Sequence, residues 1–121
     1  MPKTILIVDD SLSIRQIVGV TLRQAGFAVV EGSNGEEGLA QLTTQRVDLV
    51  VTDLNMPVMD GIAFIKNIRG QAKTRGIPVL MLTTESQDAK KQEGKAAGAT
   101  GWIVKPFHPE KLLQTIARVL P

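Results

Sequence analysis

Five short runs of apolar and β-branched residues recur along this chain, and they limit its possible folds more than any other feature. The runs are TILIV at residues 4–8, AVV at 28–30, LVVT at 49–52, IPVLML at 77–82 and WIV at 102–104. Each run is almost continuously hydrophobic instead of alternating between apolar and polar residues. This pattern predicts strands that are covered on both faces, as in a parallel sheet.

The segments between these runs have the spacing of amphipathic helices. The apolar stripes are Ile14, Ile17, Val18, Leu22 and Ala25; Leu39 and Leu42; Ile62, Ile65 and Ile68; and Leu112, Leu113, Ile116, Val119 and Leu120. Gly26 and Gly98 stand where two helices should end in left-handed backbone geometry. The sequence therefore predicts a helix after each strand.

The fourth predicted helix, at about residues 86–97, differs from the others. Its only apolar residues are Ala89, Ala96 and Ala97. Gly94 lies in its interior, where glycine costs about 1 kcal/mol of helix stability relative to alanine. We expect this helix to be the least firmly docked element of the fold.

The order of these elements predicts an α/β fold, a doubly wound (βα)5 flavodoxin-like sandwich around a parallel five-stranded sheet. The strand order 2-1-3-4-5 is taken from the flavodoxin-like class. At 121 residues, with 43% hydrophobic and 21% charged residues, the composition fits one soluble globular domain at 1–121.

Composition also argues against several classes of protein. The chain has no cysteine, so disulfide and thiolate chemistry are excluded. The formal charge is only +2, and Lys90-Lys91 is the only adjacent basic pair in the body of the chain, which does not indicate nucleic-acid binding. The apolar runs are far shorter than the ~20 residues of a membrane-spanning helix, and the N-terminus lacks a secretory signal. We expect a cytoplasmic protein that binds neither nucleic acid nor membrane.

Polar residues whose side chains can bind ligands or react follow four of the five predicted strands. Asp9 and Asp10 follow the first, Asp53 the third, Thr83 the fourth and Lys105 the fifth. In open α/β sheets, ligands bind beyond the carboxyl ends of the strands at the topological switch point. In the expected order, that point lies between strands one and three, which carry the three acids.

Three carboxylates in one crevice repel each other unless a cation compensates their charge. Lys105 can offset only one of them. A hard divalent cation with oxygen ligands fits better, and Mg²⁺ suits a site with few protein ligands. Once such an ion is bound, Asp53 can act as a nucleophile toward phosphorus. Thr83 offers a hydroxyl and Lys105 a positive charge to the transferred phosphoryl oxygens.

These residues belong to a set of motifs that resembles the response-regulator receiver domain of two-component signalling, of the stand-alone chemotaxis type. The motifs are VDDS at 8–11, TDLNMPVMDG at 52–61, LTT at 82–84, AAGATGW at 96–102 and KPF at 105–107. Each motif alone is weak, but all of them in order, each at the end of an apolar run, are a strong signal, and the resemblance extends over essentially the whole chain. The resemblance implies a single receiver domain with no output domain.

The resemblance also implies a role for each site residue. Asp53 would accept phosphate from a phosphohistidine of a histidine kinase, and Lys105 would pair with the phosphoryl group. Mg²⁺ would be held by Asp9, Asp10, Asp53 and the backbone carbonyl of Asn55. Thr83 would move toward the phosphoryl group and Trp102 would be the switch aromatic, a position where the family typically has Tyr or Phe. Asn55 and Glu85 would tune dephosphorylation, and the Lys105–Pro106 bond would be cis.

By the same resemblance, phosphorylation would switch the face formed by the fourth helix, the fifth strand and the fifth helix for binding a downstream target in chemotaxis or motility. A phosphatase could reset it, and the protein would be a monomer without independent substrate turnover. Two alternatives within the family stay open: a phosphate sink or relay intermediate, and a receiver from a larger regulator.

Two functions outside this family are disfavoured by the same residues. A flavodoxin-like flavin carrier would need phosphate-binding groups after the first strand, where this chain has two acids. A phosphatase with an aspartate nucleophile of the haloacid-dehalogenase type would need a DxDxT motif, which is missing. Purely structural roles are also expected near the site. Asp10 or Ser11 would cap the first helix, Asp60-Gly61 would cap the third, and His108 would cap the fifth.

Overall fold

The computed structural model describes residues 2–84 and 88–120. Five parallel strands form one sheet in the order β2-β1-β3-β4-β5, which confirms the predicted fold class and strand order. The strands are β1 (Thr4–Val8), β2 (Ala28–Gly32), β3 (Leu49–Asp53), β4 (Val79–Thr83) and β5 (Gly101–Val104). The helices are α1 (Leu12–Gln24), α2 (Gly35–Thr44), α3 (Gly61–Gly70), α4 (Asp88–Ala97) and α5 (Pro109–Val119).

Successive residues of each central strand pack into two different hydrophobic cores. In β1, Leu6 and Val8 face a core that includes Phe64 and Ile65 of α3. Ile5 and Ile7 face the opposite core, which includes residues of α1 and α5. Both sets of side chains are fully buried, and each large apolar side chain stabilises the fold by roughly 1.5–3 kcal/mol. Burial on both faces explains why the strands are continuously hydrophobic.

The strand boundaries differ slightly from the sequence prediction. Strand β4 begins at Val79 rather than at residue 77, because Pro78 has no N–H to donate to a neighbouring strand. Strand β3 extends through Asp53, so this acid is the last residue of a buried strand and not the first residue of a loop. The predicted left-handed geometry is present at Gly26 and Gly98, with φ of 97° and 116°.

Helix α4 buries only Gly94 among its own residues, in agreement with the weak docking predicted for it. The structure gives this glycine a role that helix propensity did not reveal. A Cβ atom at position 94 would collide with the Sδ of Met81 on β4. A larger residue at position 94 would therefore force the fully buried Met81 side chain to shift, and glycine allows the close approach of α4 to the sheet. The predicted start of this helix, at residue 86, lies outside the described residues.

Helix starts show which capping predictions hold. The side chain of Ser11 accepts a hydrogen bond from Ile14 N, and that of Asp60 accepts one from Ala63 N. His108 occupies the predicted N-cap position of α5, but its side chain makes no capping hydrogen bond. Pro109 begins α5, where its fixed φ suits the first helical position. Within residues 2–84 and 88–120, no helix is both long and apolar enough to cross a membrane.

Candidate functional site

Three carboxylates meet at the carboxyl edge of the sheet, between β1 and β3. Asp9, Asp10 and Asp53 each offer an oxygen within 4.8 Å of those of the other two. Asp9 and Asp53 are buried and Asp10 is exposed, so the cluster opens to solvent on one side. The structure therefore brings together the three acids that the sequence placed at adjacent strand ends.

The backbone around two of these acids fixes their orientation. Asp9 Oδ1 accepts a hydrogen bond of 2.9 Å from Ser11 N, at the turn from β1 into α1. Asp53 Oδ1 accepts one of 2.8 Å from Leu54 N, immediately after β3. Hydrogen bonds from backbone amides stabilise the charged form of a carboxylate.

One cation from a third strand faces the cluster. Lys105 follows β5, and its Nζ lies 3.2 Å from Asp53 Oδ1 and 3.5 Å from Asp9 Oδ2. The Lys105–Pro106 peptide bond is cis. A single ammonium group cannot neutralise three carboxylates, so the described site carries net negative charge.

The electrostatic cost of this arrangement falls on Asp9, whose carboxylate is fully buried. Burial raises the pKa of Asp9, and the nearby Asp53 carboxylate raises it further. The Ser11 amide and Lys105 act in the opposite direction but do not cancel the effect of burial. A group of oxygen ligands with excess negative charge and an open side fits a hard divalent cation.

Thr83, at the end of β4, is a buried polar residue of an unusual kind. It is fully buried, and its Oγ1 is the one buried side-chain oxygen or nitrogen without a hydrogen-bond partner in the described part of the chain. An unsatisfied buried hydroxyl costs about 1–3 kcal/mol. Such a group indicates either strain or a partner that arrives from elsewhere.

Trp102 lies on β5, but its ring is not enclosed beside Thr83. Trp102 is 39% exposed. The Nζ atoms of Lys91 and Lys95 on α4 lie 5.3 and 5.1 Å from the centroid of its ring. These distances fit cation–π contacts. The indole thus covers the side of α4 and is accessible to a partner.

The remaining predicted residues lie at the margin of the site or outside the described residues. Asn55 is exposed, two residues after Asp53. Glu85 belongs to the undescribed segment 85–87. Gly61 has a structural role, as the sequence suggested for the Asp60-Gly61 pair. A Cβ at position 61 would collide with the Asp53 carbonyl oxygen, so glycine lets α3 begin directly against the end of β3.

Sequence reasoning missed one residue that contacts the site. Arg15 on α1 donates a hydrogen bond of 2.6 Å from Nη1 to the backbone carbonyl of Asp9. Its Nε donates to Glu31 Oε1 on β2 at 3.0 Å. A usable signal was present, because an acid at position 31 directly after an apolar run needs a partner when it lies in a strand.

The geometry agrees with comparisons to known proteins. The family model of the response regulator receiver domain matches residues 5–117. Chemotaxis protein CheY-3 of Vibrio cholerae is 41% identical over 116 residues, which are 95% of this chain and 89% of that protein. The solved structure of CheY4 of Vibrio cholerae is 52% identical, with a TM-score of 0.93, over 99% of this chain and 100% of that one.

A longer relative also matches. The phosphate regulon transcriptional regulatory protein PhoB of Escherichia coli is 37% identical over 120 residues, 99% of this chain and 52% of PhoB. The chain thus spans about half the length of the PhoB proteins that it matches. On the strength of the matched family model and these relatives, the chain belongs to the response regulator receiver domain family of two-component signalling, and it is CheY-like.

Proposed function

We propose that this protein is a phospho-accepting switch in which Asp53 receives a phosphoryl group from a phosphohistidine of a histidine kinase. The observation that carries this proposal is the meeting of an acid trio, a lysine and an unpartnered buried hydroxyl at one sheet edge. Positioning and charge neutralisation do most of the work in phosphoryl transfer, so this small set of groups is sufficient.

The contacts of Asp53 favour one of its two oxygens as the nucleophile. Oδ1 accepts the Leu54 amide and faces Lys105. Among the described residues, Oδ2 has no such contact, so it is the oxygen with a free lone pair. Attack by Oδ2 forms the O–P bond while the P–N bond to the kinase imidazole breaks, and the imidazole leaves and takes up a proton. Lys105 Nζ, already at the carboxylate, then pairs with a phosphoryl oxygen.

The acid trio supplies the ligands for a magnesium ion. Asp9, Asp10 and Asp53 would hold Mg²⁺ together with the backbone carbonyl of Asn55. When bound, this ion neutralises charge on the carboxylates and on the incoming phosphoryl oxygens. The fit rests on the excess negative charge of the trio, which Lys105 only partly offsets.

The switch would begin at Thr83. Its hydroxyl is fully buried and unpartnered in the described residues, so a phosphoryl oxygen would provide the missing acceptor. Movement of Thr83 would act on the segment that leads to α4, the helix with the fewest buried residues. The face formed by α4, β5 and α5, with Trp102 on it, would then change its affinity for a downstream target. Asn55 and Glu85 would tune the rate of dephosphorylation.

Chemotaxis or motility signalling in the cytoplasm of a bacterium is the setting that the likeness to CheY-3 and CheY4 supports best. In this setting the receiver is a monomer that meets a kinase, a target and a phosphatase. The PhoB match supports a second candidate, in which this receiver is part of a larger regulator. A phosphate sink is a third role with the same chemistry.

Phosphorylation by acetyl phosphate tests the central claim without the kinase. In this reaction Asp53 Oδ2 forms the O–P bond and acetate leaves. We expect the wild-type protein to gain one phosphoryl group in Mg²⁺, measured by intact mass spectrometry, and Asp53→Asn to gain none. Asp60→Asn is the matched control, because asparagine caps a helix as well as aspartate does and Asp60 is exposed. Labelling of Asp53→Asn at the wild-type level would exclude Asp53 as the acceptor.

A further inference from the structure

Arg15 lies beside the acid trio, and nothing in the phosphoryl-transfer chemistry above uses it. The residue is on the second turn of α1, and only 15% of its side chain is exposed. Its guanidinium bridges two elements, since Nη1 donates to the Asp9 carbonyl oxygen and Nε donates to Glu31 Oε1. Arg23, which is 52% exposed, also approaches Glu31, at 3.8 Å.

The Asp9 carbonyl belongs to the peptide unit that joins Asp9 to Asp10. Asp9 N donates a hydrogen bond of 3.1 Å to Gly32 O at the end of β2. Its carbonyl is held on the other side by Arg15 at 2.6 Å. A peptide unit is planar, so fixing its carbonyl fixes the direction in which the chain continues to the Cα of Asp10.

Asp10 depends on this fixation more than its neighbour does. Its carboxylate is exposed, and no hydrogen bond or ion pair holds it within the described ranges. The Asp9 carboxylate, in contrast, is anchored by Ser11 N and Lys105. The orientation of the Asp9–Asp10 peptide is therefore the main constraint that keeps the Asp10 carboxylate directed at the cluster.

We propose that Arg15 is a positioning residue for the divalent-cation site, and that Glu31 orients its guanidinium. The inference rests on the proposed function in one respect, namely that the acid trio binds Mg²⁺. Arg15 touches neither the ion nor the phosphoryl group in this proposal. It acts by holding the peptide between two of the three carboxylates.

Charge alone predicts the opposite effect. A guanidinium near an acid cluster repels a cation, so removing it should strengthen Mg²⁺ binding. Removing a group that positions metal ligands weakens metal binding, typically by 10–100-fold. The sign of the change in Mg²⁺ affinity therefore separates positioning from electrostatics.

The experiment measures Mg²⁺ binding by isothermal titration calorimetry on the folded, unphosphorylated protein. We expect Arg15→Met to weaken binding about tenfold or more, and Arg15→Lys to recover part of this loss because an ammonium can still donate to the Asp9 carbonyl. Arg23→Met is the matched control, since it removes a second arginine charge near Glu31 without touching the Asp9 carbonyl. It should bind Mg²⁺ as tightly as the wild type, or slightly more tightly.

Glu31→Gln provides a second variant if Arg15→Met does not fold. It keeps the guanidinium but weakens its anchor, and we expect a loss of Mg²⁺ affinity that is smaller than that of Arg15→Met. Because Glu31→Gln also removes a negative charge, which by itself weakens cation binding, it is compared with the wild type at about 1 M salt, where the effect of this partly exposed charge is screened and the loss due to positioning remains. If Arg15→Met or Glu31→Gln binds Mg²⁺ as tightly as or more tightly than the wild type, the positioning role is overturned and the proposed function is unaffected. If the wild type itself shows no Mg²⁺ binding, the metal site of the proposed function fails, and the role of Arg15 fails with it.

Discussion

The two edges of the sheet differ in whether their buried polar groups have hydrogen-bond or charge partners. At the amino ends of the strands, the hydroxyl of buried Thr74 donates a hydrogen bond of 2.7 Å to the Ile68 carbonyl. At the carboxyl ends, the hydroxyl of buried Thr83 has no partner in the described part of the chain. The charged groups differ in the same way. The Arg69 guanidinium is well supplied with acceptors at the amino edge, whereas Lys105 at the carboxyl edge faces more acids than it can neutralise.

Arg69 shows that a charged donor at the amino edge has carbonyl acceptors for its N–H groups. Its guanidinium donates to the carbonyls of Gly98 at 2.9 Å, Arg75 at 2.9 Å and Ile77 at 2.6 Å. These contacts join the end of α3 to the end of α4 and to the segment before β4. The amino edge is built for stability, while the carboxyl edge retains a cost in free energy that a bound ion and a phosphoryl group would offset.

The largest expected effect concerns Arg69. Arg69→Met keeps most of the aliphatic side chain but leaves three carbonyl acceptors without their donor, so we expect the free energy of unfolding to fall by about 3 kcal/mol. Mg²⁺ affinity should not change, because the acid trio lies at the opposite edge. Urea denaturation and calorimetric titration measure the two quantities. The control is Arg75→Met, since the Arg75 side chain is exposed and only its carbonyl takes part in these contacts. If Arg69→Met lowers the free energy of unfolding by less than about 1 kcal/mol, the amino edge is not more strongly stabilised than the carboxyl edge.

The two buried threonines, Thr74 and Thr83, allow a matched comparison in which the expected changes in the free energy of unfolding are smaller. Valine has nearly the shape of threonine without its hydroxyl. Thr74→Val should lower the free energy of unfolding by about 1–2 kcal/mol, because the hydrogen bond to Ile68 is lost. Thr83→Val should leave it unchanged or raise it slightly, since the hydroxyl it removes has no partner in the described residues.

The two threonine variants should rank in the opposite order when the response to phosphorylation is measured instead of stability. Thr83→Val should still accept phosphate from acetyl phosphate, but the change in Trp102 emission that follows phosphorylation should be reduced. Thr74→Val should keep that change at temperatures where it is folded. Equal destabilisation by both substitutions would show that the Thr83 hydroxyl is satisfied in solution, and that the proposed switch lacks its starting point.

The fold was predictable because strand and helix periodicities are local properties of the sequence. Continuous apolar runs predicted the five strands, and the order of elements predicted the α/β class. Which side chains make contact at the sheet edge is not a local property. The sequence predicts that Lys105 lies at the same edge as the acids, but its pairing with both Asp9 and Asp53, which are 96 and 52 residues away along the chain, is seen only in the structure.

Two residues show where local reasoning about the sequence stops. Gly94 was interpreted from helix propensity as a weakness of α4, but the structure explains it by close packing against Met81. Arg15 receives no role from the sequence, although its guanidinium holds the Asp9 carbonyl. In both cases the partner lies on a different element, so periodicity alone carried no information about it.

The smallest expected effect is the pH dependence of stability that Asp9 produces in metal-free protein. Burial raises the pKa of Asp9 above 3.8, so the folded protein binds this proton more tightly than the unfolded chain does. The free energy of unfolding should therefore fall as pH rises from about 3.8 through the raised pKa of Asp9, with a slope of at most about 1.4 kcal/mol per pH unit. Asp9→Asn lacks the ionisable group, so in EDTA at neutral pH it should be more stable than the wild type.

Magnesium should reverse this ranking, because at the proposed site it would bind, and therefore stabilise, only the protein that retains the full acid trio. Urea denaturation over a pH series, with EDTA and then with Mg²⁺, measures both effects. Asp48→Asn is the amino-edge counterpart, since the Asp48 carboxylate accepts the Thr4 amide at 2.8 Å and lies near Arg46. It should give no gain in stability in EDTA and no response to Mg²⁺ different from the wild type. If Asp9→Asn is less stable than the wild type in EDTA at neutral pH, Ser11 N and Lys105 already compensate the Asp9 charge, and the carboxyl edge does not carry the electrostatic cost that distinguishes it from the amino edge.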